Sequence, residues 1–319
     1  MIRVNAQPGQ CSVNQTFTRS LNVSGLNVES ESIKPLSNGR FCAIGNVENI
    51  AGSFSPFIIV LDSLGKTLNQ KVYAFPNSTI KVKTHAVMPD GGFALFGNIS
   101  SNGSFTQRLV VLKLDSNLNL IWARSFGAGS FQDSKHIFSL SNGSMILSGQ
   151  TSVPILYKVS STGNVIWAKS FVNGGGGYIQ KIIPDNTGFI LSGSITNNTT
   201  NYYASVFKVD TNANSIIWQY VFSSFNLGDQ IIDVIPLGSN NYLAGAYLHA
   251  SFTNGTSDLA AIRFNSSGQV SWAKVYGGGN FEFISDINPL SDGGFLLTGF
   301  SNSFTPGANI LNIKINDCP

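Results

Sequence analysis

The chain is expected to fold as an all-β, six-bladed β-propeller with four antiparallel strands per blade. Three observations lead there: a tryptophan-centred strand motif, a Gly-rich motif between its copies, and alternating apolar strands beside turn residues. The first recurs as Ile121-Trp122-Ala123-Arg124-Ser125-Phe126, Ile166-Trp167-Ala168-Lys169-Ser170-Phe171 and Ser271-Trp272-Ala273-Lys274-Val275-Tyr276, with Ile217-Trp218-Gln219-Tyr220-Val221-Phe222 a looser copy. Gln70 and Phe17 occupy the Trp position in two degenerate copies, so six anchors at 17, 70, 122, 167, 218 and 272 follow one another roughly fifty residues apart.

The second motif, Asp90-Gly91-Gly92-Phe93 with Gly97, matches Asp292-Gly293-Gly294-Phe295 with Gly299. Relatives run from Asn38 to Gly45, Asn142 to Gly149, Asn186 to Gly193 and Asn240 to Gly245, which makes six again. The third, such as Leu109 to Asp115 or Ala260 to Asn265, alternates apolar and polar residues before a turn, the period of a strand. Four short strands in a unit of about fifty residues mark a propeller, where radial repetition leaves only short, protected edges. No helix-length amphipathic segment interrupts them. One Trp per repeat at one strand position is expected to pack between neighbouring blades rather than form a stacking platform.

The W-A-K-x-[YF] and D-G-G-[FY] pattern resembles the β-propeller repeats of secreted and surface proteins of bacteria and archaea, over residues 12 to 316. The resemblance implies fold and compartment; members of such families are functionally diverse and frequently seven-bladed, so no activity comes with it.

The 319 residues read as a single domain, with 1–12 an N-terminal extension. The chain opens with an outer strand, Val13 to Leu21, and ends with a third strand, Ile310 to Ile315, so the N-terminal strand is expected to complete the last blade and close the ring. Aligning Ile315 with Phe264 and Phe17 with Trp272 puts Cys318 and Cys11 in one turn. A Cys11–Cys318 disulfide would then staple the closure, contributing upwards of about 4 kcal/mol on the loop-entropy account; the competing reading is two unrelated free thiols. Cys42, in a core strand, reads as a buried inert thiol.

Charged residues are only 11% of the chain against 42% hydrophobic, and the net charge of +3 is spread out. The surface must rely on Asn, Ser, Thr and Gly, and no Lys/Arg cluster offers a footprint for nucleic acid or an anionic membrane. No apolar run approaches a bilayer span, so no membrane insertion is expected. Met1 to Asn5 lacks the features of a signal peptide. Either the chain is intracellular or its numbering begins at a processed or truncated end. A structural disulfide favours the second, an extracellular or cell-surface location. Candidate N-glycosylation sites at Asn14, Asn22, Asn77, Asn98, Asn102, Asn142, Asn197, Asn198, Asn254 and Asn265 point the same way, and nearly all fall in expected loops.

His85, His136 and His249 form no metal-ligand spacing, and neither a nucleophile elbow nor a phosphate-binding loop is present; Gly174 to Gly177 is a connector. Asp115-Ser116-Asn117 and Asp210-Thr211-Asn212 imitate the start of a calcium loop but lack its later Gly and Glu, so they read as hairpin turns. No metal, cofactor or catalytic residue is nominated, and the chain is read as a non-enzyme.

Aligning inner strands on the D-G-G motif brings Ser32, Thr84, His136, Lys181, Asp233 and Asp286 to equivalent positions near the axis. This ring is a candidate site for a small polar ligand; the competing reading is a hydrated channel lining in which Lys181 and Asp233 compensate each other. Loops around Phe126 to Gly129, Tyr276 to Gly279, Asn98 to Gln107 and His249 to Ser257 should share one face, poor in charge and suited to protein or carbohydrate surfaces. Two functions remain: a secreted, N-glycosylated, non-catalytic structural or adhesive protein of the cell exterior, with self-assembly into a filament or surface layer; or a soluble module recognising carbohydrate or another ligand through the loop face or channel.

Overall fold

A computed structural model describes residues 27–49, 52–101, 107–127, 132–150, 153–171, 176–196, 202–222, 228–251, 256–290, 292–303 and 309–316. Their strands form six antiparallel sheets in chain order. Sheet 1 holds β1 (Val28–Pro35), β2 (Phe41–Glu48), β3 (Phe54–Leu61) and β4 (Thr67–Val72). Sheet 2 holds β5 (Ser78–Val87), β6 (Phe93–Ser101), β7 (Arg108–Leu114) and β8 (Leu120–Phe126). Sheet 3 holds β9 (Asp133–Ser139), β10 (Met145–Gln150), β11 (Pro154–Val159) and β12 (Val165–Ser170). Sheet 4 holds β13 (Gly177–Asp185), β14 (Gly188–Thr196), β15 (Tyr202–Asp210) and β16 (Ile216–Phe222). Sheet 5 holds β17 (Gln230–Gly238), β18 (Asn241–Ser251), β19 (Thr256–Asn265) and β20 (Val270–Tyr276). Sheet 6 has three strands among the described residues, β21 (Glu282–Pro289), β22 (Phe295–Ser301) and β23 (Asn309–Ile315). The expected outer strand 13–21, Cys11 and Cys318 lie outside the described residues, and with them the closure and the disulfide.

The apolar alternation read in the sequence buries both faces of the middle strands in sheets 2 to 5, because each of these is packed between two neighbouring sheets. The core is cut into slices, each between consecutive sheets. Ile44 and Ile58 meet Val82 and Leu95 between sheets 1 and 2, and Phe96 and Val111 meet Ile137 and Leu147 between sheets 2 and 3. Ile146 and Leu156 meet Ile182 and Leu191 in the next slice, then Ile190 and Val206 meet Val234 and Ile262. Leu243 and Ala261 meet Ile284 and Leu297 in the last.

Turn chemistry is specific. Asp115 Oδ1 accepts from the backbone N–H of Asn117 and Asn119 at 2.9 and 2.7 Å, and Asp210 Oδ1 accepts from Asn212 N–H at 2.8 Å, so both carboxylates cap their own hairpins. The D-G-G Asp reaches back to the third strand of its sheet: Lys113 Nζ lies 2.7 Å from Asp90 Oδ2, and Lys314 pairs with Asp292. In sheet 4 Lys208 Nζ and Asp185 Oδ1 are 2.5 Å apart.

Two positions differ from the sequence alignment. Val60 pairs with Asn69 as Lys113 pairs with Trp122, so Asn69, not Gln70, holds the Trp position in sheet 1. Pro236 pairs with Tyr242 as Pro35 pairs with Phe41, so Ala246 rather than Gly245 matches Gly45. Both slips have one cause, a one-residue β-bulge or turn that shifts register without changing composition.

Candidate functional site

Each inner strand carries a bulge at one height. The register steps over Glu31, Lys83, Lys135, Gln180, Ile232 and Ser285 in turn. The second-strand glycine makes room for it: a Cβ on Gly45, Gly97 or Gly193 would lie 2.0–2.1 Å from the carbonyl oxygen of Glu29, Lys81 or Tyr178. In sheets 1, 2 and 4 that contact accounts for the glycine closing the motif, and Gly299 in sheet 6 is as close to the carbonyl oxygen of Phe283; in sheet 5 Ala246 accommodates the same bulge, and in sheet 3 a Cβ on Gly149 would instead meet Leu109 Cδ1 at 2.7 Å.

The residue following each bulge is Ser32, Thr84, His136, Lys181, Asp233 or Asp286, and each pairs with the residue just before the second-strand position that faces the bulge. The six polar side chains therefore share one register position. Lys181 Nζ lies 2.6 Å from Asp233 Oδ1 on the neighbouring sheet. Burial nevertheless pushes the Asp233 carboxyl above its ordinary range, against the pull of Lys181 and helped by the negative charge of Asp286. Asp286 is held locally, accepting from Ile287 N–H at 3.0 Å and from Asn288 Nδ2 at 2.9 Å.

Lys34, two residues beyond Ser32, joins this group although sequence alignment did not nominate it. Its ammonium donates to the carbonyl oxygen of His85, and burial together with Lys181 lowers it to about 8. His136 is kept neutral by its enclosure and by both lysines, and its Nδ1 has no hydrogen-bond partner. The cluster thus combines two ammonium groups, two carboxylates and a neutral imidazole. His136 lacks the hydrogen bond to a nucleophile that acyl or glycosyl transfer would use.

Of the loops expected on one face, residues 102–106, 128–131 and 252–255 lie outside the described residues, and one contact between two of the loops is described. Gln132 N–H donates to Gln107 O at 3.0 Å, and Asn98 Nδ2 donates to Gln132 O at 2.6 Å, tying the loop after β8 to the loop after β6. A cavity of about 430 Å³ opens there, lined by Phe54, Lys81, Lys83, Asn98 and Asp133 among others. Lys81 Nζ stands 3.5 Å above the Phe54 ring, and Lys83 pairs with Asp133.

On the periphery, Trp122 Nε1 donates to Ser161 O at 3.0 Å and Trp218 Nε1 to Ser266 O at 2.8 Å, each tying an outer strand to the turn of the next sheet. The packing role expected for these residues is the one they perform. Beside them run open grooves of about 530 Å³, with Asp90, Asn142 and Thr162, and about 650 Å³, with Gln219, Asn265 and Gln269. A bulge in every described outer strand leaves one residue outside the ladder: Leu68, Ile121, Ile166 and Ile217, each between 51% and 55% exposed, and Ser271 on β20.

Of the candidate glycosylation sites, Asn14, Asn22, Asn102, Asn197, Asn198 and Asn254 lie outside the described residues. Asn77 and Asn142 are exposed at turns. Asn98 must be withdrawn: it is 6% exposed, its Nδ2 is bound by Gln132 O, and its Oδ1 accepts from Ser134. Asn265 is half-buried and spends its Nδ2 on Gln269 Oε1 at 3.0 Å. Cys42 is fully buried, which pushes its thiol up to about 12 and removes thiolate reactivity.

No family model and no curated protein matches the chain. Solved structures do. The Dos1 propeller superposes with a TM-score of 0.56 at 11% identity, covering 91% of this chain and 69% of that one. A quinohemoprotein alcohol dehydrogenase from Comamonas testosteroni gives 0.51 at 9% identity over 93% of this chain and 62% of its own. A puromycin hydrolase mutant gives 0.50 at 9% identity, over 88% and 43% respectively. The chain thus spans less than two thirds of both enzymes. These likenesses establish a β-propeller fold; the fold hosts enzymes and other proteins, and it carries no activity across.

Proposed function

We propose that the protein is a non-catalytic structural or adhesive β-propeller of the cell exterior that acts through surfaces offered to other proteins, copies of itself included. The supporting observation is the periphery: successive outer strands present Leu68, Ile121, Ile166 and Ile217 to solvent at one register position. Aliphatic side chains repeated around a rim suit lateral association. The ionised groups inside are, by contrast, largely engaged with one another, as in Lys181–Asp233 and Lys208–Asp185.

Ring closure by residues 13–21 and the Cys11–Cys318 bond belong to this proposal. Ile310 on β23 is 81% exposed, whereas Leu109 and Leu259 at the same position of sheets 2 and 5 are buried between a fourth-strand aromatic, Phe126 or Tyr276, and the following sheet. A fourth strand on β23 with a neighbouring sheet beyond it would cover Ile310 in the same way. An extracellular location fits a neutral polar surface and exposed sequons at Asn77 and Asn142.

Negative-stain microscopy of native material tests the assignment, together with intact mass before and after reduction and deglycosylation. Filaments or sheets, a reducible bond and glycans are expected. Isolated discs at every concentration, with specific signals on a glycan array, would turn the assignment to carbohydrate recognition. The grooves beside Trp122 and Trp218, lined by Asn, Ser, Thr and Gln, favour that second reading.

A further inference from the structure

The outer edges are not alike. Beyond its bulge each outer strand runs regularly for five residues, ending at Tyr73, Phe126, Phe171, Phe222 or Tyr276. The midpoints of these segments are Lys71, Arg124, Lys169, Tyr220 and Lys274. Four edges therefore carry a basic residue at their centre, and β16 carries an aromatic one.

That midpoint decides which side chains meet when the whole segment pairs with its own copy. When two copies of one strand meet antiparallel about a two-fold axis, the central residue faces its own counterpart. In β4, β8, β12 and β20 this sets two cations directly opposite, an arrangement that destabilises a sheet and is a recognised guard against edge-to-edge association. In β16 it sets Tyr220 against Tyr220, Trp218 against Phe222 and Gln219 against Val221. No charge is buried by either copy.

The strand is free for such pairing. Its inner edge is taken by β15, and its outer edge pairs with no strand among the described residues. Tyr220 and Val221 are exposed, and the Tyr220 and Phe222 rings already lie together with centroids 5.2 Å apart. Trp218 is pinned to Ser266, and the groove of about 650 Å³ beside it leaves room for a partner's side chains. A chain with a net charge of only +3 offers little long-range repulsion between copies.

We infer that β16 is a self-recognition edge: two copies of the chain pair antiparallel through Trp218 to Phe222 about an axis at Tyr220, joining two four-stranded sheets into one of eight. The inference rests on the reading of the periphery as an assembly surface and names its first contact.

Sedimentation equilibrium on the full chain tests it. Wild type is expected to associate as a dimer or a larger species built from dimers. Tyr220→Lys installs the residue type that β4, β12 and β20 carry at the same position, so the fold should tolerate it; it is expected to weaken self-association at least about tenfold. Tyr220→Glu should do the same, and mixing the two variants should restore pairing, because unlike charges then meet across the axis. That rescue would not follow from a merely structural effect. If Tyr220→Lys associates as wild type does, the β16 contact is refuted while the assembly reading stands. If wild type is a monomer at the highest attainable concentration, both fall. If it stops at a dimer that Tyr220→Lys dissolves, the contact stands without larger assemblies.

Discussion

Replacing His85 by Ile should stabilise the protein and remove part of its sensitivity to acid. His85 follows Thr84 on β5 and pairs with Leu95. Its equivalents in sheets 3 to 6 are Ile137, Ile182, Val234 and Ile287, all buried in the slice shared with the preceding sheet. His85 is likewise fully buried, yet neither ring nitrogen has a hydrogen-bond partner. An unsatisfied buried polar group costs about 1–3 kcal/mol, so Ile of similar bulk should recover an amount of that order at neutral pH. Burial, with Lys34 nearby, also lowers the imidazole to about 3 from an ordinary 6.5. The sign follows directly. A depressed base is neutral in both states above 6.5, where its contribution to stability is complete; between 6.5 and 3 only the unfolded chain takes up the proton, and stability falls. The loss is about 1.4 kcal/mol per pH unit, or about 2 kcal/mol at pH 5. His136, also lowered, adds a similar slope of its own. Urea unfolding of wild type and His85→Ile at pH 7.5, 6, 5 and 4 therefore has two expected outcomes: a gain at pH 7.5, and a difference between the proteins that widens as pH falls. Equal stability at pH 7.5 with parallel pH dependence would refute the reasoning.

Two further substitutions probe the sheets. Asp90→Ala leaves the nearly buried Lys113 ammonium with only the Leu114 carbonyl as partner, and should cost about 1–3 kcal/mol in urea unfolding at pH 7. Because Lys113 and Gly92 N–H hold the Asp90 carboxyl below its usual range, that difference should shrink as pH falls below about 4; a cost independent of pH would count against the ion pair. Gly97→Ala places a Cβ 2.0 Å from the Lys81 carbonyl oxygen and should cost more than about 2 kcal/mol by prying β5 from β6. Wild-type stability of that variant would show that the inner bulge does not need the glycine.

The six sheets and the shared position of the six polar residues were legible in the sequence for one physical reason: every inner strand bulges at the same height, so counting from the D-G-G turn reaches equivalent residues in all six sheets. The same counting failed at Gln70 and Gly245, where nothing in composition reveals which residue a bulge or turn absorbs. Lys34 escaped because it sits two residues beyond Ser32, and only the folded chain shows its ammonium bound to the His85 carbonyl on the neighbouring sheet. Asn98 reads as an exposed sequon until Gln132 and Ser134 of the next sheet take up its amide group. The contrast between Trp-Ala-Lys and Trp-Gln-Tyr was visible from the start, but its meaning depends on the regular segment beyond each bulge, which only the ladder defines.

The slicing of the core has a consequence for how such a chain can change. Since five apolar clusters each belong to one pair of adjacent sheets and a sixth to sheet 1 alone, the damage done by an altered side chain stays between its neighbours, and sites in non-adjacent sheets should be nearly independent in energy. One sheet can then drift while the others keep their duties. Sheet 4 could lose its basic residue at the outer edge without loosening a single interior contact elsewhere, so a new social habit in this molecule requires little more than one permissive codon.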